Sequence, residues 1–186
     1  MIVILASCSD EVQAPAPPRE GIALEAELGT LDGALVAADD SAASGGRYVW
    51  EPGDPGREGA NGGFVEFKIP VEPGSYALWI RQRGMDSQSD SFRVTWQPAD
   101  PQDPFSTPNG EDYTFDFSES GSWMWERVLL NRDQNLNRLT VWTFEKAGTT
   151  TLRFYNRENG SRLDALFITR RTDATDETQA GVRAPK

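Results

Sequence analysis

Short apolar runs separated by turn-forming residues dominate the chain between residues 21 and 170. No long segment repeats apolar residues at the three-and-four spacing of an amphipathic helix. Instead, many stretches alternate apolar and polar residues, or are rich in β-branched and aromatic residues, between clusters of Gly, Pro, Asn and Asp. The pattern predicts an all-β body with strands at residues 22–28, 47–50, 63–71, 75–83, 91–96, 112–117, 123–130, 138–144, 149–156 and 162–169.

The spacing within these strands predicts how they pack. In the segment F-V-E-F-K-I-P-V, Phe67 and Ile69 fall on one side of the strand, whereas Glu66 and Lys68 fall on the other. This alternation is typical of a sheet with one buried face. Many short strands with frequent turns indicate a β-sandwich or jelly roll. Three tryptophans lie inside predicted strands and are assigned to the core, namely Trp79, Trp96 and Trp142.

Composition narrows the classes of function. The chain has 186 residues, 18 basic and 29 acidic side chains, a net charge of −11, one cysteine and no histidine. Without histidine, the usual zinc sites and the histidine-dependent nucleophile pairs are excluded. One cysteine cannot form an internal disulfide. The acidic balance opposes binding to nucleic acid, because that affinity comes largely from clustered Lys and Arg.

The amino terminus resembles part of a lipoprotein signal. The apolar stub at residues 1–6 is far shorter than the roughly 20 residues of a membrane-spanning helix. The run L-A-S-C that ends at Cys8 resembles the lipobox of bacterial lipoproteins, in which the cysteine carries the lipid. No Lys or Arg precedes it, so we expect the true start to lie upstream. This implies an envelope protein that meets the membrane only through its lipid; the alternative is a chance apolar terminus with a free thiol.

Several segments outside the strands are polar. The domain organisation expected from them is a truncated signal at residues 1–8, a linker at 9–20, the β-body at 21–170 and a disordered tail at 171–186. Three loops, at residues 51–62, 82–90 and 97–111, exceed the length needed to connect neighbouring strands, and long loops on a rigid sheet often bind ligands. Drift of loop sequence without function is at least as good an explanation for any single loop.

Three acids occupy positions where a charge needs a partner. Glu25 and Glu27 lie two residues apart, so in a strand they share a face and repel each other unless a cation or a base lies between them. Asp164 interrupts the otherwise apolar final strand. Calcium would suit such acids, since it takes oxygen ligands from carboxylates and carbonyls. The alternative is that the two glutamates face solvent at a sheet edge.

The order of motifs over residues 22–169 resembles that of carbohydrate-binding modules of families 6 and 35. The first pair of motifs is the most specific, and the others support it. They are E-A-E at 25–27, A-S-G-G-R-Y-V at 43–49, F-K-I-P at 67–70, G-S-Y-A-L at 74–78, S-F-R-V at 91–94, W-M-W at 123–125, G-T-T-T-L at 148–152 and R-L-D-A-L-F-I-T at 162–169.

This resemblance implies a galactose-binding-like jelly roll with a structural calcium. It implies four ligands to the ion: the side chains of Glu25, Glu27 and Asp164 and the backbone carbonyl of Arg47. It also implies that Trp123 stacks against a sugar, because a pyranose has an apolar CH face that suits an aromatic ring.

The other candidate sugar contacts have alternative roles. The resemblance places a polar sugar contact at Asn159, beside Arg157 and Glu158, although those two could instead form a structural pair that closes the hairpin. Tyr48 and Trp50 could form an opposing aromatic platform or belong to the core. Trp125 shares a strand face with Trp123, so one of the two should lie nearer the loops and the other deeper.

Three classes of function are compatible with the sequence. The first is non-catalytic binding of a polysaccharide or oligosaccharide by a lipid-anchored protein of the bacterial cell envelope. The second is protein interaction or assembly through the same sandwich, because fold does not fix function. The third is a glycoside hydrolase or polysaccharide lyase, which would need two facing carboxylates; no motif nominates such a pair, and we expect no catalysis.

Overall fold

The computed structural model describes residues 21–54, 63–105 and 110–185. Cys8, the expected signal and the expected linker lie outside these ranges. The described strands are β1 (Ile22–Glu25), β2 (Thr30–Leu31), β3 (Val36–Asp39), β4 (Arg47–Trp50), β5 (Phe64–Val71), β6 (Gly74–Arg83), β7 (Ser91–Gln97), β8 (Thr114–Asp116), β9 (Met124–Arg127), β10 (Trp142–Phe144), β11 (Gly148–Asn156) and β12 (Arg162–Thr169). Two short α-helices are α1 (Asn131–Gln134) and α2 (Glu177–Ala180). In the described ranges, no helix is both long and apolar enough to traverse a bilayer.

The strands form two antiparallel sheets. In the seven-stranded sheet, five strands follow the order β3-β4-β12-β6-β10. Strand β1 pairs with the same edge of β12 as β4 does, and β9 pairs with the same edge of β6 as β10 does. The five-stranded sheet has the order β2-β5-β11-β7-β8. The two sheets pack into a single β-sandwich, which confirms the predicted all-β jelly-roll fold.

Alternation along the strands builds the core between the sheets. In β5, Phe67 and Ile69 are buried while Glu66 and Lys68 face outward, as the spacing predicts. Trp96 and Trp142 lie fully inside the sandwich. Trp79 is also buried, but it belongs to a second apolar cluster on the outer face of the seven-stranded sheet. The prediction that these three tryptophans are core residues is therefore confirmed, in two separate places.

Two early elements differ from the predicted strands. The first strand ends at Glu25, and a 3-10 turn follows over Ala26–Leu28. Glu25 and Glu27 therefore do not share one strand face, because the turn redirects the chain between them. The short strands β2 and β3 were not predicted, since two to four residues carry too little alternation to be distinguished from loop.

The carboxyl-terminal segment is packed rather than disordered, so that expectation is wrong for residues 171–185. Ala174 and Ala180 are buried against Trp79 and Phe167 on the outer face of the seven-stranded sheet. The buried Arg127 guanidinium donates hydrogen bonds to the carbonyls of residues 172 and 174. Small apolar residues are enough to pack this segment, because the large aromatic side chains of the sheet supply most of the apolar contact surface.

Candidate functional site

Two neighbouring acids near the start of the described chain, Glu25 and Glu27, meet the distant Asp164 at one turn. The amide of Ser44 donates to Oδ2 of Asp164 at 3.1 Å, and its hydroxyl donates to Oε1 of Glu25 at 2.8 Å. A Cβ atom on Gly45 would lie 3.2 Å from Oε1 of both Glu25 and Glu27. In the pairing of β1 with β12, Glu25 lies opposite Ala165, so Asp164 is the residue next to the strand partner of Glu25. We call Glu25, Glu27 and Asp164 the acid site.

Three carboxylate oxygens of the acid site are buried. Oε2 of Glu25, Oε2 of Glu27 and Oδ1 of Asp164 accept no hydrogen bond from any residue in the described ranges. Burial raises the pKa of Glu27, with a smaller contribution from the charge of Glu25. Burial also raises the pKa of Asp164 to about 6, although the Ser44 amide and Arg81 lower it. A group of carboxylates with unfilled oxygens in a desolvated place is the donor set that a hard cation prefers.

Two arginines already compensate part of this negative charge. Arg81 forms an ion pair with Oδ2 of Asp164, whose side chain is fully buried. Arg47 begins β4 directly after the Ser44–Gly46 turn, and its charge lowers the pKa of Glu27. Within the ranges that the structure describes, no three acidic, histidine or cysteine side chains meet at the spacing of an assembled metal site. The three carboxylates are ligands of the kind that calcium prefers. They do not stand at the spacing of an assembled metal site, and arginine neutralises part of their charge.

A cluster of aromatic side chains lies beside the acid site, on the outer face of the seven-stranded sheet. Val49 of β4 points into the core, so Tyr48 and Trp50 point outward. The ring centroids of Tyr48 and Trp123 are 5.3 Å apart, and those of Tyr48 and Trp50 are 6.2 Å apart. Tyr48 is buried, whereas Trp50 and Trp123 are half-buried. We call Tyr48, Trp50 and Trp123 the aromatic cluster.

Charged groups border the aromatic cluster on several sides. The Arg162 guanidinium lies 5.5 Å from the ring centroid of Tyr48 and 5.4 Å from that of Trp50. The indole N–H of Trp123 donates to Oδ2 of Asp40 at 3.1 Å. Hydrogen bonds to the Asp40 carboxylate, first from the Ala42 amide and then from Trp123, lower the pKa of Asp40. Half-buried rings next to fixed charges can contact both the apolar face and the hydroxyl groups of a sugar.

Sequence reasoning did not identify these charged residues as part of the site. Arg81, Arg83 and Arg162 stand on the same outer face as the aromatic cluster, and Asp40 follows β3. The alternation W-I-R-Q-R at residues 79–83 carried a usable signal, because Trp79, Arg81 and Arg83 occupy one face of β6. Asp40 carried no such signal, since its role depends on contacts across the sheet.

Trp125 lies on the same outer face but in different surroundings from Trp123. It is half-buried and packs against the apolar cluster of Trp79, Phe167, Ala174 and Ala180. The carboxyl-terminal segment therefore borders Trp125. Trp123 precedes β9, which begins at Met124, so the two tryptophans do not share one strand as predicted. Trp123 joins the aromatic cluster, whereas Trp125 lies beside the packed carboxyl-terminal segment.

The loop residues Arg157, Glu158 and Asn159 form a separate group at the end of the sandwich. Arg157 donates to Oε1 of Glu158 at 2.8 Å, and the hydroxyl of Ser91 donates to Oε2 at 2.7 Å. Asn159 is buried, and its Oδ1 accepts from the Asn156 side chain at 3.2 Å. The structural pairing of Arg157 with Glu158 is thus present, whereas a sugar contact by these residues stays a prediction.

Asp90 also belongs to this group of loop residues, and its pKa is unusual for an aspartate. Burial raises the pKa of Asp90 to about 7, and Glu158 adds to the increase through a hydrogen bond and its charge. The amide of Asp90 also donates to Oε2 of Glu158 at 3.3 Å. Through the Asp90 amide, Glu158 therefore connects the loop before β7 to the loop before β12.

The described part of the long segment at residues 97–111 packs against the opposite sheet from the aromatic cluster. The ring centroids of Phe105 and Tyr155 are 4.9 Å apart, and the Tyr155 hydroxyl donates to Asp103 at 2.9 Å. Tyr155 belongs to β11 of the five-stranded sheet. The described part of this segment therefore leaves the face with Trp123 uncovered.

The fold is similar to that of solved carbohydrate-binding modules. A family 35 module from Clostridium thermocellum has a TM-score of 0.55 and 17% sequence identity, over 80% of this chain and 96% of the module. The C-terminal family 6 module of LamC, a marine laminarinase from Zobellia galactanivorans, has a TM-score of 0.53 and 15% identity, over 80% and 98%. The resemblance to families 6 and 35 is therefore confirmed for the fold.

Larger enzymes contain the same kind of fold as one part of their chain. An exo-β-1,3-galactanase from Phanerochaete chrysosporium, solved with β-1,3-galactotriose, matches with a TM-score of 0.54 and 18% identity; the match covers 80% of this chain and 29% of that enzyme. No family model and no curated protein matches the sequence.

Proposed function

We propose that this protein binds carbohydrate without catalysis, through the aromatic cluster. The observation that carries the proposal is the position of Trp123 and Trp50, which are half-buried beside charged side chains on an outer sheet face. The fold shared with carbohydrate-binding modules supports it. A charged border favours a polyhydroxylated ligand over an apolar protein surface, because interface cores are depleted in charged residues.

In this proposal, the rings and the charged groups have different tasks. The indole rings of Trp123 and Trp50 contact the CH face of a pyranose, and Asp40 and the neighbouring arginines bind its hydroxyl groups. A shallow site with few buried polar contacts gives weak binding, about micromolar to millimolar. Tyr48, which is buried, supports the Trp123 ring from behind.

We further propose that the acid site holds a structural calcium ion. Glu25, Glu27 and Asp164 would supply carboxylate oxygens, and Arg47 would supply its backbone carbonyl. When bound, the ion neutralises the buried carboxylates and crosslinks β1 to β12. The three buried oxygens, which have no hydrogen-bond partner among the described residues, support this assignment.

The proposed location is the bacterial cell envelope, with a lipid on Cys8 as the only membrane attachment. Its support is the lipobox-like run that ends at this cysteine. Mass spectrometry of the protein recovered from membranes tests it, since a diacylglycerol-modified cysteine at the new amino terminus is expected. Recovery of an unmodified thiol would contradict the anchor.

A glycan-binding screen tests the main proposal. The protein is titrated against plant, algal and bacterial polysaccharides, and the variant Trp123→Ala is compared with Phe105→Ala. Phe105 is an exposed aromatic residue that packs on Tyr155 of the opposite sheet, so it is a matched control. We expect the first variant to lose binding with little change in melting temperature, and the second to retain it. Equal binding by both variants, or no binding by the wild type to any glycan, would contradict the proposal.

A further inference from the structure

The carboxyl-terminal segment closes one side of the outer face that carries the aromatic cluster. It begins beside β9, where the Arg127 guanidinium donates hydrogen bonds to two of its carbonyls. It then packs on Trp79 of β6 and Phe167 of β12, and residues 183–185 line a groove together with β1. The segment therefore crosses neighbouring strands of the sheet from β9 to β1.

This crossing blocks the path that leads along the strands past Trp125. In the pairing of β9 with β6, Trp125 lies opposite Arg81. Trp79 is the next outward residue of β6, about 7 Å further along the strand, and it is already covered by the segment. A saccharide that left Trp123 in this direction would meet Trp125 and then packed chain.

The opposite side of the aromatic cluster is open at β3. Among the described strands only β4 pairs with β3, so β3 is an edge of the sheet. Val36 lies directly opposite Trp50, and Ala38 lies directly opposite Tyr48. Because opposed residues of an antiparallel pair point to the same face, both side chains of β3 stand on the outer face beside the aromatic cluster. Val36 is 42% exposed.

The aromatic cluster and β3 form one continuous surface. Asp40, which directly follows β3, accepts the indole N–H of Trp123 at 3.1 Å, so the same piece of chain positions both Trp123 and Val36. A single exposed valine is an ordinary surface residue, but next to a half-buried indole it extends the apolar area that a sugar ring can contact. The short side chains of Val36 and Ala38 also let a ligand approach the sheet closely.

We propose that a saccharide chain bound at the aromatic cluster leaves it across the β3 edge, with Val36 as its next contact, and that the carboxyl-terminal segment excludes the opposite direction. This inference rests on the proposed function and adds the direction in which the bound chain runs. A saccharide of several residues reaches Val36, whereas a disaccharide covers only the indoles. The longer ligand therefore binds more tightly through the added apolar contact.

The test compares saccharides of two lengths. Disaccharides and hexasaccharides of β-1,3-galactan and β-1,3-glucan, and of each other polysaccharide that binds in the screen, are titrated by calorimetry. We expect the hexasaccharide to bind more tightly than the disaccharide of the same polymer. Val36→Ser should weaken hexasaccharide binding about fivefold, because it removes apolar contact area, and should leave disaccharide binding unchanged.

A matched pair of tyrosine variants tests the direction. Val36 and Thr178 are both exposed, but Thr178 belongs to α2 of the carboxyl-terminal segment. Val36→Tyr should tighten hexasaccharide binding about two- to tenfold, because it extends the aromatic surface along the proposed path. Thr178→Tyr adds the same ring on the closed side and should leave the affinity unchanged. Tyrosine is well tolerated in strands, and melting temperatures are measured for every variant.

The results separate this inference from the function on which it rests. Equal affinity for the two lengths, hexasaccharide binding that neither Val36 variant changes, or tighter binding by Thr178→Tyr would each overturn the proposed direction. Carbohydrate binding at the aromatic cluster would stand in those cases, provided that Trp123→Ala abolishes it. Failure to bind any glycan in the wider screen would overturn the proposed function itself.

Discussion

Arg81 forms an ion pair with the fully buried carboxylate of Asp164, and the same guanidinium lies 6.0 Å from the centroid of the Trp123 indole ring. One side chain therefore contacts both the acid site and the aromatic cluster. Because Asp164 also accepts the Ser44 amide, the first strand, the Ser44–Gly46 turn and the last strand are held together at this point. The stability of this region should depend on Arg81.

Arg81→Met is expected to destabilise the fold by about 3–5 kcal/mol, because it leaves the Asp164 carboxylate buried without its counter-charge. Urea unfolding measured in the presence of a chelator tests this. Arg138→Met is the matched control: Arg138 pairs with Asp133 at 2.7 Å but is largely exposed, so its loss should cost about 1 kcal/mol or less. Equal losses in the two variants would contradict the role of the buried pair.

Calcium is expected to raise the melting temperature, and chelator to lower it. An ion that binds only the folded state stabilises it by about 2.7 kcal/mol at a hundredfold excess over Kd. Glu27→Gln should remove this response and should itself be no less stable in chelator, because it relieves the repulsion between Glu27 and Glu25. Asp32→Asn, at an exposed acid, should respond like the wild type. A melting temperature that is insensitive to both reagents would contradict the calcium proposal.

Stability is expected to fall as the pH rises from about 4 to about 7. The pKa of Asp90 is raised from its usual 3.8 to about 7 by burial and by Glu158. In that window the folded protein holds a proton that the unfolded chain releases, so the free energy of unfolding decreases with pH and then levels off. Asp90→Asn should weaken this dependence, while the exposed-site control Asp112→Asn should not. Unfolding measured in chelator from pH 4 to 8 gives the comparison, and an unchanged slope in Asp90→Asn would contradict it.

Removal of residues 171–186 is expected to destabilise the sandwich. The segment covers Trp79 and Phe167, and exposing two large side chains costs about 3–6 kcal/mol at about 1.5–3 kcal/mol each. Tryptophan emission should shift to longer wavelength as Trp79 becomes hydrated. A shorter truncation that removes only residues 184–186 retains Ala174 and Ala180 and should behave like the full chain. No difference between the two truncations would contradict the packing role of this segment.

The general fold could be predicted from sequence because it depends on local alternation. Strands β4 and β12 have the bounds that were expected, and β5, β6, β7 and β11 differ by one residue at an end. The acid site was anticipated because Glu25, Glu27 and Asp164 stand out against apolar neighbours. Their meeting at Ser44 could not be derived from spacing, since the contacts span up to 120 residues of sequence.

The surroundings of the aromatic cluster were less predictable for the same physical reason. Trp123 was nominated by a motif, but its partners lie on other parts of the chain, Asp40 directly after β3 and Arg81 on β6, and the sheet register brings them together. The carboxyl-terminal segment was misassigned because a composition without large apolar residues usually indicates disorder. Here small residues pack well, since Trp79 and Phe167 supply the apolar surface from the other side.

The most direct test of carbohydrate binding at the aromatic cluster uses the indole N–H signals of the six tryptophans. These are followed by two-dimensional NMR while the best saccharide from the screen is added. We expect the signals of Trp123 and Trp50 to move in a saturable way and those of the buried Trp96 and Trp142 to stay in place. Saturable changes that spare both Trp123 and Trp50 would contradict binding at the aromatic cluster.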